Sequence, residues 1–278
     1  MSAGIEERGE CAKFLQWALP RLGRRWRGYR KVQSLLAKRL SRRLRALGLT
    51  DLSAYRAWLD SHSGEWAELD ALLGVPISRF YRDRDVFDSI EHDVIPVLAQ
   101  TARNARRPSI ECWSAGCASG EEPYTLAMLW RLRLQAAYPG LALRVVATDS
   151  DAELLERARV GCYESSSLKE LPADLRAAAF EPRNGNFCVK RELRNDIEFL
   201  PQDLREKMPE GPFDLVLLRN VVATYYAPDV QREVISRIAR RMQPGAALVL
   251  GTHETLLEGI EAFAAWPGAR AIYRKSSK

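Results

Sequence analysis

The stretch SIECWSAGCASGEEPYTLAM, residues 109–128, decides the fold. Its first half, SIECWSAG, is a short run of mostly apolar and small residues that ends in glycine, as a strand covered on both faces does. Small residues and two glycines, Gly116 and Gly120, then form a turn against which a ligand can lie close to the backbone. The helical run beginning at Glu121-Glu122-Pro123 presents its amino terminus to the same spot. In doubly wound α/β domains that spot holds nucleotide-like ligands. Two acids directly after the last glycine would repel a pyrophosphate. They suit a ligand with a cationic amino-acid moiety, such as the methionine part of S-adenosylmethionine. The same pair also serves as a helix amino-terminal charge cap, and both readings stand from these residues alone.

The rhythm repeats downstream. LRVVATD reads as a strand and SDAELLERARV as a helix. FDLVLLRN, PDVQREVISRIARRM and AALVLGTH give strand, helix and strand, and RAIYRK a last strand. Apolar strands alternating with amphipathic helices predict a mostly parallel sheet with helices on both faces. Between Gly161 and Leu200 the rhythm breaks. There NFCVKRELRNDIEFL alternates like an antiparallel hairpin, which predicts a small β insert near residues 162–200. Asp149 closes the second strand, where a carboxylate can accept from both hydroxyls of a ribose. It can equally cap the next helix, as can Asp151.

Upstream the pattern is helical throughout. In YRKVQSLLAKRLSRRLRALGL, the positions Val32, Leu35, Leu36, Leu40, Leu44 and Leu47 have helical spacing, with Lys38, Arg39, Arg42, Arg43 and Arg45 mostly on other faces. Gly48 reads as its stop, Asp51 or Ser53 as the next cap, and a further helix covers 65–73. The predicted architecture is an all-α basic domain over residues 1–83, followed by a doubly wound α/β domain over 84–278.

Composition bounds the function. The chain has 278 residues, 46% hydrophobic and 28% charged, which is ordinary for a globular protein. The net charge of +6 is uneven: residues 11–50 carry twelve Lys or Arg and no acid, so the remainder is net negative. No apolar run reaches the roughly 18 residues of a membrane span, and the acidic MSAGIEERGE start does not read as a secretory signal. Five scattered cysteines without a paired C-x-x-C, and three histidines without ligand spacing, argue against zinc, against disulfides and against any metal site. A reduced cytoplasm is the expected compartment. No aromatic stacking pattern or recognised nucleic-acid motif accompanies the charge of the basic segment, which argues against nucleic acid.

The run CWSAGCASGEEPYTLAM, with VVATDSD, FDLVLLRNVV…YY and VLGTHETL, resembles the CheR family of protein-glutamate methyltransferases. The basic helix, AYRAWLD and ISRFYRDRDVF resemble that family's amino-terminal domain and its joint to the catalytic domain, so the likeness runs from about residue 25 to 255. It implies a Rossmann-like class I methyltransferase fold with S-adenosyl-L-methionine as cofactor and the glutamates of a chemoreceptor or related signalling protein as acceptors. It also implies roles in chemotaxis and signal transduction. By resemblance, Glu122 contacts the methionine amine (with Glu121 as its substitute), Asp149 the ribose, and Asp203-Leu204 the adenine. Gly116, Arg219 and Asn220 line the cofactor, Ser78 stands for a family Thr, and Arg82 is the active-site arginine. For Arg82 the plain alternative is a surface salt bridge to Asp83 or Asp85.

Three departures bear on the acceptor. Pro76 replaces a family Asn, and Asp203 replaces an amide. Thr224 stands where the family has its active-site tyrosine, with Tyr225 one residue on. A shift of one residue would bring Tyr225 into a catalytic role beside Arg82; the alternative is that Tyr225 and Tyr226 pack under the loop. The resemblance further implies that an acidic protein substrate, such as a chemoreceptor cytoplasmic region, docks on the basic segment. Arg39, Arg42 and Arg43 are the first candidates, and Arg24 and Arg25 are others. Two rival readings remain: the same fold acting on another protein or a small molecule, and a non-catalytic module that binds the cofactor. Nothing past the last strand resembles a further recognition module.

Overall fold

A computed structural model describes residues 3–276. The chain divides into two compact units, 1–75 with 224–230, and 76–223 with 231–278.

In the first unit the helix Gln33–Leu47 buries Leu36, Leu40 and Leu44, one stripe of the apolar spacing, while Leu35 is left 39% exposed. Gly48 ends it at φ 69°, the left-handed turn that glycine adopts without a Cβ penalty. Asp51 caps the helix Leu52–Ser61, its carboxylate accepting from the Ala54 N–H at 2.8 Å. The helix Glu65–Leu72 closes the bundle, and Phe14, Leu15, Tyr29, Tyr55 and Leu69 join the stripe in its core.

The cations of this unit are unequally engaged. Arg24 ion-pairs with Asp70 at 2.5 Å and donates to the Tyr29 hydroxyl. Arg39 donates to the carbonyls of Leu72 and Gly74. Arg43 forks onto Glu65 at 2.8 and 2.6 Å, and the Tyr55 hydroxyl donates to the same carboxylate. Two of the three arginines expected to dock a substrate, Arg39 and Arg43, are therefore tied to their own unit. The physical reason is that helix carbonyls and a nearly buried Glu65 need donors. Arg42 is exposed, as are Lys38 and Arg45 on the same helical face and Lys31 just before the helix.

The second unit is a seven-stranded sheet. Its strands are β1 (Ser109–Ala115), β2 (Ala142–Asp149), β6 (Ile197–Pro201), β7 (Phe213–Leu217), β8 (Met242–Val249), β9 (Phe263–Ala265) and β10 (Ile272–Lys275), in the order β6-β2-β1-β7-β8-β10-β9. The first five in that order pair parallel, while β10 is antiparallel to both β8 and β9. This is a mostly parallel, Rossmann-like sheet. The order reverses at β1/β7, so the carboxyl ends of β1, β2 and β7 face one crevice. β7 is buried at all five positions, as a central parallel strand must be.

The insert differs from expectation. Strands β3 (Cys162–Tyr163), β4 (Phe180–Arg183) and β5 (Asn186–Val189) form a separate antiparallel sheet, order β3-β5-β4. The hairpin turn is Asn184-Gly185, both at positive φ, the turn whose twist matches that of the strands. The second half of the expected hairpin is instead β6, which joins the main sheet parallel to β2. An alternating run at a sheet edge is half covered, so its pattern does not tell edge from hairpin. Cys162 and Cys188 face each other across β3 and β5 and form a disulfide, which corrects the reading of five free thiols. Spacing in sequence carries no trace of that register.

Candidate functional site

The turn after β1 is built around Asp149. Gly116 and Cys117 donate their N–H groups to the Thr148 carbonyl, and the Ala118 N–H donates to Asp149 Oδ2 at 2.8 Å. This curls the loop through positive φ at Gly116, Ala118 and Gly120. A Cβ on Gly116 would lie 2.6 Å from Val221 Cγ2, and one on Gly120 2.8 Å from Ala158 Cβ, so both positions admit only glycine without rearrangement. The Tyr163 hydroxyl donates to the Ser119 carbonyl at 2.6 Å and ties the start of the insert to this loop. Asp149 also accepts from the Asp151 N–H, whereas the following helix is capped by Asp151, which receives Glu153 and Leu154. Asp149 is therefore not that helix's cap. Burial pushes its carboxyl above the ordinary aspartate range.

The two acids after Gly120 have different surroundings. Glu121 is buried and accepts from Ser119 Oγ at 3.0 Å; burial raises its pKa, and hydrogen bonds, Ser78 among their donors, oppose the rise. Glu122 accepts from Ser114 Oγ at 2.7 Å and from Arg219 Nη1 at 2.9 Å.

Arg219, only 6% exposed at the end of β7, is a hub. Its Nη2 donates to Asp83 at 2.9 Å and to the Arg82 carbonyl, and its guanidinium lies 4.8 Å over the Phe87 ring. Burial raises the Asp83 carboxyl, but the charge and hydrogen bond of Arg219 outweigh it and hold the acid below its ordinary range. Asp83 thus forms its ion pair with Arg219, while the Arg82 charge also lowers its carboxyl. The Arg82 guanidinium donates instead to the Ile77 carbonyl at 2.6 Å and to Asn220 Oδ1 at 3.3 Å, and has no ion pair among the described residues.

Asp203 accepts from the backbone and guanidinium of Arg205, which offsets the charge that replacing an amide introduces. Leu204 is buried beside it. Tyr225 falls in the first unit. Its carbonyl accepts from the Arg25 N–H at 2.8 Å and its ring centroid lies 5.0 Å from that of Tyr29, an arrangement that fits the packing alternative. The sequence reading passed over Asp83 and Glu254 as structural parts of the site. Their partners Arg219 and Asn220 lie 136 and 34 residues away, so no local signal marks these contacts.

The donor set fits an adenosyl cofactor. Asp149 stands at the carboxyl end of β2, where a ribose can be read. Gln202 Oε1 is buried just beyond β6 with no hydrogen-bond partner among the described residues, an acceptor that a ligand donor would satisfy. Among the described residues no group of His, Cys, Asp or Glu is arranged to hold a metal ion, and no helix is long and apolar enough to cross a membrane.

The glycine turn, the paired acids and the carboxylate at the end of β2 together fit a Rossmann-like methyltransferase site. Comparison with known proteins carries this further. Residues 77–272 match the family described as CheR methyltransferase, SAM binding domain, and residues 13–73 match CheR methyltransferase, all-alpha domain. The chain is 36% identical over 230 residues to the chemotaxis protein methyltransferase of Escherichia coli (strain K12), covering 80% of this chain and 76% of that one. It is 34% identical to that of Salmonella typhimurium, covering 83% and 79%. An uncharacterized 104.1 kDa protein of Rhodobacter capsulatus is 30% identical over 85% of this chain but only 25% of its own length. The chain belongs to the CheR methyltransferase family, and is an S-adenosylmethionine-dependent methyltransferase.

Proposed function

We propose that the chain methylates glutamate side chains of a chemoreceptor cytoplasmic region, in the cytoplasm. The observation that carries this is Arg82, a guanidinium held in place by the Ile77 carbonyl and the Asn220 amide and forming no ion pair among the described residues, although its charge reaches Asp83. Such a group is suited to receive the carboxylate of a substrate. The names of the relatives in Escherichia coli and Salmonella typhimurium support the chemotaxis setting.

S-adenosylmethionine would supply a sulfonium methyl: a carboxylate oxygen bonds to the methyl carbon in line with the departing sulfur, giving a methyl ester and releasing S-adenosylhomocysteine. Asp149 would receive the ribose hydroxyls, Glu122 the methionine amine, and Asp203-Leu204 the adenine, with Gly116, Ser78, Arg219 and Asn220 lining the cofactor. Arg219 keeps Glu122 oriented through its Nη1 bond. Arg82 would hold the acceptor carboxylate by charge-assisted hydrogen bonds. A glutamate with a pKa near about 4.3 is already an anion at neutral pH, so no general base is required. The docking face centres on Arg42 with Lys31, Lys38 and Arg45, an exposed basic stripe that an acidic receptor helix would complement.

The test is transfer of labelled methyl to a purified receptor cytoplasmic fragment. Methyl esters release methanol in alkali, whereas methylated amines do not. Alkali-labile label that disappears when the receptor glutamates are changed to alanine is the expected result. Alkali-stable label, or transfer only to another acceptor, would redirect the assignment to the different pocket that Pro76 and Thr224 suggest.

A further inference from the structure

The loop after β8 carries a carboxylate that none of these roles uses. Glu254 is 7% exposed, and its Oε2 accepts two backbone N–H groups, from Asn220 at 2.7 Å and from Gly251 at 2.8 Å. The first bond grips the turn where Asn220 sits at φ 57°, a left-handed conformation that asparagine adopts more readily than other residues with a Cβ. The second brings Gly251 against the Asn220 side chain. A Cβ on Gly251 would lie 2.8 Å from Asn220 Oδ1 and 3.0 Å from both Cγ and Nδ2, so the amide rests on bare backbone. Asn220 Oδ1 then receives Arg82 Nη2. The chain of contacts runs from Glu254 through the Asn220 backbone and side chain to the guanidinium. An arginine side chain has many rotamers, and among the described residues the other hydrogen bond from this guanidinium is to the Ile77 carbonyl.

We propose that Glu254 is a positioning residue that sets the direction of Arg82 through Asn220. An anionic oxygen shared by two N–H groups makes stronger bonds than a neutral one, which suits a device that must hold one turn geometry. For methyl transfer the proposal rests on Arg82 receiving the acceptor carboxylate; for the placement of Arg82 it does not.

The experiment records the Arg82 side-chain Nε–Hε signal by nitrogen-15 NMR, assigned by its absence in R82K, alongside methyl-transfer rates. In E254A the signal is expected to shift or broaden. Transfer should fall roughly 10- to 100-fold, as displacement of a positioned group by about 1 Å does. E254Q keeps a carbonyl oxygen for the two N–H groups and should restore both readouts. In an R82A background E254A should add no further loss, since both act through one group. An unmoved Arg82 signal in E254A, or losses that multiply with those of R82A, would overturn the proposal. If E254A does not fold, E254D, which withdraws the oxygen by one methylene, must move the signal instead. If the wild type transfers no methyl to receptor glutamates, the acceptor assignment fails, while the Arg82 signal still decides the positioning role.

Discussion

The basic helix and the cofactor crevice both draw the eye by their arginines, yet the two regions use them oppositely. In the crevice, Arg219 reaches Glu122, 97 residues away, and Asp83, 136 residues away, and knits three loops together. In the helical unit, Arg43 and Arg39 satisfy Glu65 and two carbonyls of the same unit, and the solvated cations Lys38, Arg42 and Arg45 alternate with them along one helix. A count of positive charge therefore says little about availability. What separates a docking residue from a structural one is whether a buried acceptor lies within reach.

The largest effect is expected at the carboxylate that shapes the glycine loop. If Asp149 receives the ribose as proposed, D149A removes two hydrogen bonds to a charged acceptor, together about 3 kcal/mol or more, and affinity for S-adenosylhomocysteine should fall at least about 100-fold by calorimetry. Because burial raises the Asp149 pKa, the ionised form is lost on acidification sooner than for a free aspartate. Wild-type affinity should therefore weaken at a pH above the usual aspartate titration. D149N should abolish that dependence; equal pH profiles for wild type and D149N would contradict it.

Next comes the hub. R219A strands Glu122 and Asp83 in a site where Arg219 is nearly buried, and should lower unfolding free energy by about 3–5 kcal/mol in denaturant titration. A loss under about 1 kcal/mol would place Arg219 with the solvated arginines and erase the contrast between the regions.

The helical unit should answer more weakly. E65A leaves Arg43 and the Tyr55 hydroxyl without their acceptor and should cost about 2–3 kcal/mol. The Arg43 hydrogen bonds hold the Glu65 carboxyl below its ordinary value against the opposing effect of burial. Its stabilisation is then present above the unfolded-state pKa and lost as pH falls through the lowered one. E65Q should flatten that part of the stability profile. Smallest of all, R42A should change stability by under about 0.5 kcal/mol. It should raise the acceptor KM a few-fold at low salt, an effect that about 0.5 M salt screens away. If R42A and R43A proved alike in both assays, the division drawn within this helix would be wrong.

Much of this was legible in the residues. The 109–128 run specified a buried strand, a glycine turn and a helix, because apolar continuity, small residues and an acidic helix start are local properties. Gly48 and Asp51 marked helix boundaries for the same reason. The fate of 186–201 was not legible: β5 and β6 share one alternating pattern, and only pairing partners sort the first into the insert and the second beside β2. Nor was the role of Tyr225, whose ring finds Tyr29 almost two hundred residues upstream.

The sequence by itself determined the class of domain, the cofactor loop and the carboxylate at the end of β2, since each follows from neighbours within a few positions. The tertiary structure alone decided which charges are spent and which are offered: Asp83 to Arg219, Arg82 to Asn220, Glu65 to Arg43, Cys162 to Cys188. Those pairings depend on distances between residues far apart in the chain, and a charge or a thiol carries no mark of its partner until folding brings the two within reach.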